Sequence, residues 1–164
     1  MKKFLFALVI LFYGCSSVYN IEKGYIDNRR TFVVIPFYNN TEMPLAGLRV
    51  ASIVEGVFAS KGYRIADIDL KIPQRDLSRQ EIRSLITELK KSKADYVVTG
   101  EVNEWRYKTG IDGEPAVSLT LKVISIKSGK TVWIGTGSRS GWGHESLGVT
   151  TQKLINELIE KSKK

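Results

Sequence analysis

The chain reads as an α/β (α+β) protein, a single mixed β-sheet packed by helices in the order β-α-β-α-β-β-β-α. Three observations predict it. Apolar residues recur at helical spacing from Leu45 to Phe58 and again from Ile82 to Leu89. Short runs of β-branched and aromatic residues precede and follow the first of these segments. From Asp95 to Thr136 the period becomes two, broken by turn residues at 110–115 and 127–130, which is the pattern of a closing meander.

The first element, Thr31 to Phe37, is a nearly continuous apolar run of the kind that forms a buried strand, with Pro36 expected to end its pairing because proline has no N–H to donate. Asn39 to Pro44 is turn chemistry. Ala46, Val50, Ile53, Val54, Val57 and Phe58 then share one side of a helix for which Gly62 is the expected C-terminal cap. Tyr63 to Ile68 returns to strand. Ser78 and Glu81 form a capping box, opening a helix whose stripe is Ile82, Leu85, Ile86 and Leu89. In the long strand from Asp95 to Arg106, Tyr96, Val98 and Gly100 alternate with Val97, Thr99 and Glu101. In the next, Val117, Leu119, Leu121 and Val123 point inward. Lys127 to Lys130 is a hairpin turn leading to a strand over 131–136. The last helix starts near Ser146 and carries Leu147, Leu154, Ile155, Leu158 and Ile159.

Ahead of this domain, Lys2 and Lys3 precede an apolar run from Phe4 to Tyr13, followed by Gly14 and Cys15. A positive start, a short apolar core and a small residue at the cut describe a secretory signal. The run is too short for a spanning helix, which needs about 20 apolar residues. Cysteine directly after the cut resembles a bacterial lipoprotein signal, in which the thiol is acylated, with palmitate for example, and becomes the new N-terminus. The other reading is an ordinary signal peptide that leaves a free thiol. The expected division is a signal at 1–14, a lipidated tether at 15–30 reaching at most roughly 55 Å, and one periplasmic domain at 31–164.

The chain has 25 basic and 17 acidic residues and a formal charge of +8. Export argues against nucleic acid as the reason. The lysine clusters at 90–93 and 161–164 fall at expected helix C-termini, where cations complement the helix dipole. The catalytic inventory is thin. His144 is the only histidine and Cys15 the only cysteine, so a two-histidine zinc motif is excluded, and no nucleophile elbow or phosphate-binding loop is present. The expectation is a protein that is not an enzyme and takes no metal or cofactor. Asp112 and Glu114 have the look of a glycosidase carboxylate pair, but equally of a solvated hairpin loop.

Two segments remain. Glu104 to Val117 combines Trp105 and Tyr107 on one strand face, Arg106 and Lys108 on the other, and an acidic loop; an edge strand blunted by charge is the plain alternative. Ser138 to Leu147 presents Trp142 between Gly141 and Gly143 with no periodic apolar partner, which suits an interface with membrane or protein.

These segments, together with 33–47 and the strand from Glu101, resemble the PelC family, outer-membrane lipoproteins of Pel exopolysaccharide export. The opening strand and proline are shared more widely, with TolB N-terminal, curli-secretion and synthase-activating lipoproteins. The resemblance implies a homo-oligomeric ring, a dodecamer, that is lipid-anchored at Cys15 on the periplasmic face of the outer membrane. Such a ring lies under the outer-membrane export barrel and guides a cationic polysaccharide through an electronegative funnel. By motif match the funnel residues are Asp112, with Glu114 and Arg106 as further candidates, and Trp142 faces the membrane or barrel. Ser16 and Ser17 after the lipid site agree with outer-membrane sorting. The alternatives are a monomeric lipoprotein that binds and activates a cell-wall synthase, and a periplasmic enzyme acting on glycan.

Overall fold

Why the early apolar run is split shows first in the backbone around Pro36. Thr31–Val34 (β2) pairs in parallel with the long strand Tyr96–Tyr107 (β5). Proline interrupts this pairing without ending it. Ile35 N–H donates to the Val98 carbonyl, the Thr99 hydroxyl donates to the Pro36 carbonyl at 2.8 Å, and Tyr38–Asn39 (β3) then pairs with β5 further along, opposite Glu101 and Val102. The computed structural model describes residues 17–21, 26–110 and 113–162.

Ala46–Ser60 (α1) follows, closed by Gly62 at φ +82°, as the sequence leads one to expect. The strand expected over 63–68 is only Arg64–Ile65 (β4). Its alternation runs on through Ile68, Leu70 and Ile72, which are partly buried, but beyond Ala66 N–H, which donates to the Phe32 carbonyl, the segment joins no ladder among the described residues. Arg79–Glu88 (α2) opens with the reciprocal capping box: Glu81 N–H donates to Ser78 Oγ, and Ser78 N–H to the Glu81 carboxylate. A 3₁₀ turn at Leu89–Lys91 ends it. Pro115–Ser125 (β6) and Thr131–Ser140 (β7) complete the meander with β5, and Leu147–Lys161 (α3) closes the chain, capped by Ser146. β7 outruns its expected end at 136 because Gly135 and Gly137 erase the apolar alternation there.

One stretch departs from the sequence reading altogether. Within the segment taken for a tether, Ser17–Ile21 is a strand (β1), antiparallel to β7 from Ser17 opposite Arg139 to Ile21 opposite Gly135. Five polar-to-mixed residues carry no periodic signal, and a distant partner supplies the ladder. The seven-stranded sheet is ordered β1-β7-β6-β5-β2-β4, with β3 beside β5.

One face of this mixed sheet packs α1 and α3 over Phe32, Val98, Val102, Val117, Leu119, Leu121, Val123 and Trp133. The other face packs α2 over Val33, Ile35, Val97 and Ile126. On that second face β6 and β7 change to hydroxyls, with Thr120 Oγ1 3.1 Å from Thr136 Oγ1 and Ser138 donating to Ser118 at 2.9 Å. No helix among the described residues is long and apolar enough to cross a membrane.

α2 is fastened to the sheet by charge. Arg79 reaches Glu101 at 3.1 Å and stands 4.0 Å over the Tyr38 ring, while Lys122 meets the same carboxylate at 3.0 Å. The Arg79 hydrogen bond, supported by Lys122 and Asn40, holds the Glu101 carboxyl down to about 2. A carboxylate depressed in the folded state stabilises the fold above its unfolded value near 4.3, and that contribution fades as pH falls toward 2. Glu101→Gln is therefore expected to flatten the loss of stability between pH 5 and pH 2, read from denaturant midpoints. An unchanged slope would deny this cluster its role in acid sensitivity.

Candidate functional site

The two unusual sequence segments meet at one end of the sheet. β5 and β6 continue into a hairpin closed by Lys108 N–H donating to the Glu114 carbonyl at 2.8 Å. The segment after β7 folds against it, with Gly141 N–H donating to the Pro115 carbonyl at 2.8 Å and Glu145 N–H to the Trp142 carbonyl at 2.8 Å. Gly141 is required by close approach: a Cβ there would lie 2.5 Å from Thr150 Oγ1 and 2.8 Å from the Pro115 ring. The turn is anchored by Glu145, whose nearly buried carboxylate takes Lys153 at 2.6 Å and the Thr150 hydroxyl at 3.4 Å. The Lys153 hydrogen bond lowers the carboxyl pKa of Glu145 from its ordinary value. Ser146 caps α3, and Leu147 N–H reaches the Tyr107 hydroxyl at 3.4 Å.

Trp142 stands out of this turn, 43% exposed, as the sequence suggests. Two further apolar side chains are exposed at the same end, Tyr107 on β5 at 49% and Val149 on the first turn of α3 at 41%. Sequence reading missed Val149 and Glu145. The first is one valine on an otherwise regular helix, and the second is a lone acid whose lysine partner lies two helical turns away.

Trp105 is not part of the exposed surface. Though read as unlike a core strand, β5 is an interior strand to Val102, and Trp105 is 5% exposed beneath α3, donating Nε1–H to Thr151 Oγ1 at 2.8 Å. Arg49 lies 5.5 Å over its ring. Arg106, on the opposite face, pairs with Glu104 at 3.0 Å. The carboxylate of Glu114 is not free of bases, since Lys108 meets it across the hairpin at 3.1 Å. Both pairs are exposed, where such bridges are worth about 0–1 kcal/mol. Asp112 and Cys15 lie outside the described residues. His144 is exposed in the turn, and among the described residues no group of His, Cys, Asp or Glu side chains could hold a metal ion.

No family model matches the chain, and no curated protein does. Solved structures do. A point variant of the PelC dodecamer from Paraburkholderia phytofirmans is 30% identical, with a TM-score of 0.71, over 88% of this chain and 96% of that one. The chain belongs to the PelC family. A second crystal form of the PelC dodecamer matches at TM-score 0.70, again with 30% identity. Lipoprotein GNA1162 from Neisseria meningitidis shares the fold at TM-score 0.59 and 15% identity, over 80% of this chain and 99% of that one. The fold brings side by side the two unusual sequence segments, the stretch from Glu104 to Gly110 and the Trp142 turn from Arg139 to Leu147.

Proposed function

We propose that this member of the PelC family is a lipid-anchored, outer-membrane ring protein that guides a cationic exopolysaccharide such as Pel toward its export barrel, and that it performs no catalysis. The likeness to the PelC dodecamer over nearly the whole chain carries the reading. The arrangement of one end supports it. Trp142, Tyr107 and Val149 are exposed there, and an indole or phenol ring suits a membrane–water boundary. The register of β1 supports an anchor at this end: Ser17 sits opposite Arg139, two residues before Gly141. Cys15 is two residues upstream of Ser17, a span of at most about 7 Å. An acyl group on Cys15 and the exposed aromatic side chains would thus enter the same surface.

Stable anchoring takes more than one acyl chain or a second signal, and the exposed side chains of Trp142 and Tyr107 would supply that second signal beside an acylated Cys15. Cys15→Ala is expected to move the protein from the outer-membrane fraction to the soluble periplasm. A variant that sediments with outer membrane as fully as the parent would show that lipid is not the main anchor. Light scattering on the detergent-solubilised protein is expected to give a large closed oligomer; a monomer would instead favour a synthase-activating binding module.

A further inference from the structure

At the end that carries Trp142 the sheet is four strands wide among the described residues, β1-β7-β6-β5, and no described strand pairs with either outer edge. β3 is the last strand on the far side of β5, and its final bond runs from Asn40 N–H to the Val102 carbonyl at 2.9 Å. From Asn103 to Tyr107, β5 has β6 on one side and no strand on the other among the described residues. Lys108 N–H points to β6, so by the alternation of an antiparallel ladder the N–H and C=O of Trp105 and Tyr107 point outward. Beside this edge lies a cleft of about 900 Å³ lined by Asn40, Met43, Asn103, Glu104 and Arg106. On the opposite side of the sheet, β1 pairs with β7 and with no other strand among the described residues.

Resting on the ring reading above, we propose that neighbouring subunits join by antiparallel pairing of the free edge of β1 with the Asn103–Tyr107 edge of β5 in the next copy. Strand direction selects this match. β5, β6, β7 and β1 alternate up and down without exception, so a β5 placed next to β1 continues the alternation. Length agrees as well, since β1 has five residues and so has the open stretch of β5. The cleft mixes the polar side chains of Asn40, Asn103, Glu104 and Arg106 with the apolar ones of Met43 and Pro44, so a strand laid along the edge would meet hydrogen-bonding groups as well as apolar surface. Because the two edges differ, the contact is head-to-tail, the type of contact that generates a closed ring when its rotation closes. The bulge between Val102 and Glu104 in the pairing with β6 lies where the β3 ladder stops, and it shifts by one residue which N–H and C=O groups of β5 face outward.

Cysteine pairs test this in the full chain, with the parent run alongside to account for Cys15. Val18, Tyr19 or Asn20 would be changed to cysteine together with Asn103, Glu104 or Arg106. Paired antiparallel residues lie about 4.5–5.5 Å apart at Cα, within disulfide range. At least one combination is expected to give, under oxidation, a ladder of covalent species rising past the dimer to the mass of the whole ring. In parallel, Tyr107→Pro removes one outward N–H and is expected to dissociate the ring to monomers with a melting temperature within a few degrees of the parent, while Tyr107→Ala keeps the ring. A parent that forms a ring with no ladder from any pair overturns this interface and leaves the ring reading standing. Dimers from a single cysteine in β1 would mean a symmetric β1–β1 contact and also overturn it. A parent that is monomeric throughout refutes the ring itself.

Discussion

Trp105→Ala is expected to lower folding stability by about 3–5 kcal/mol, the cost of emptying a buried tryptophan site. The side chain is almost fully enclosed between β5 and α3, and its N–H is used by Thr151, whose own hydroxyl donates to the Leu147 carbonyl at 2.7 Å. Removing the indole leaves a cavity and also frees a buried hydroxyl from its donor. Trp142→Ala is the control from the same end of the molecule. With nearly half of its surface in water, that residue is expected to change stability by no more than about 0.5 kcal/mol, while secretion falls if the ring contacts the membrane or barrel through it. Chemical denaturation of both variants checks the pair. Equal losses would mean that the Trp142 turn is packed in a way that its exposure contradicts.

Asp112→Lys is expected to cut secretion of a cationic glycan sharply while the ring stays assembled, and Glu114→Gln to do so only slightly. The asymmetry follows from Lys108, which already offsets Glu114 at 3.1 Å, so removing that carboxylate subtracts little from the outward field. Asp112, between Gly110 and Gly113 in sequence, is then the charge that a ring would repeat around its opening. A narrow opening focuses many weak potentials, and weak contacts let a polymer pass from one to the next. The Asp112→Lys defect is expected to deepen at low ionic strength, where screening weakens. Secretion quantified at two salt concentrations decides it. Normal export from an assembled and correctly localised Asp112→Lys ring would remove the loop from the polymer path.

What the sequence disclosed was whatever local pattern dictates. The stripe from Ala46 to Phe58, the Ser78–Glu81 capping box and the inward set Val117, Leu119, Leu121 and Val123 stand as expected, because each is a periodic burial signal with a stop beside it. Trp142 was legible for the opposite reason, as a large apolar side chain with nothing at the right spacing to bury it. The failures are all tertiary. β1 has no signal of its own and exists through β7. Trp105 looks amphipathic in its strand, yet α3 arrives from the far end of the chain to cover it. Lys108 is six residues from Glu114, and only the closure of the hairpin makes them partners. Charge patterns read along a chain miss such compensation wherever the backbone reverses.

The pairing of β1 with β7 also sets an order of events. They are the first and last strands among the described residues, and each lies beside the other in the finished sheet. Contacts so distant in sequence form late, because a long loop must close before any of their hydrogen bonds is gained. A chain that emerges N-terminus first therefore presents the stretch around Ser17 while its partner, Gly135–Arg139, has yet to arrive. On the export reading, enzymes that cut and acylate near Cys15 meet an unpaired segment, and the completion of β7 then draws that segment into the sheet. On that reading maturation precedes docking, because the strand that holds β1 is the last to be made.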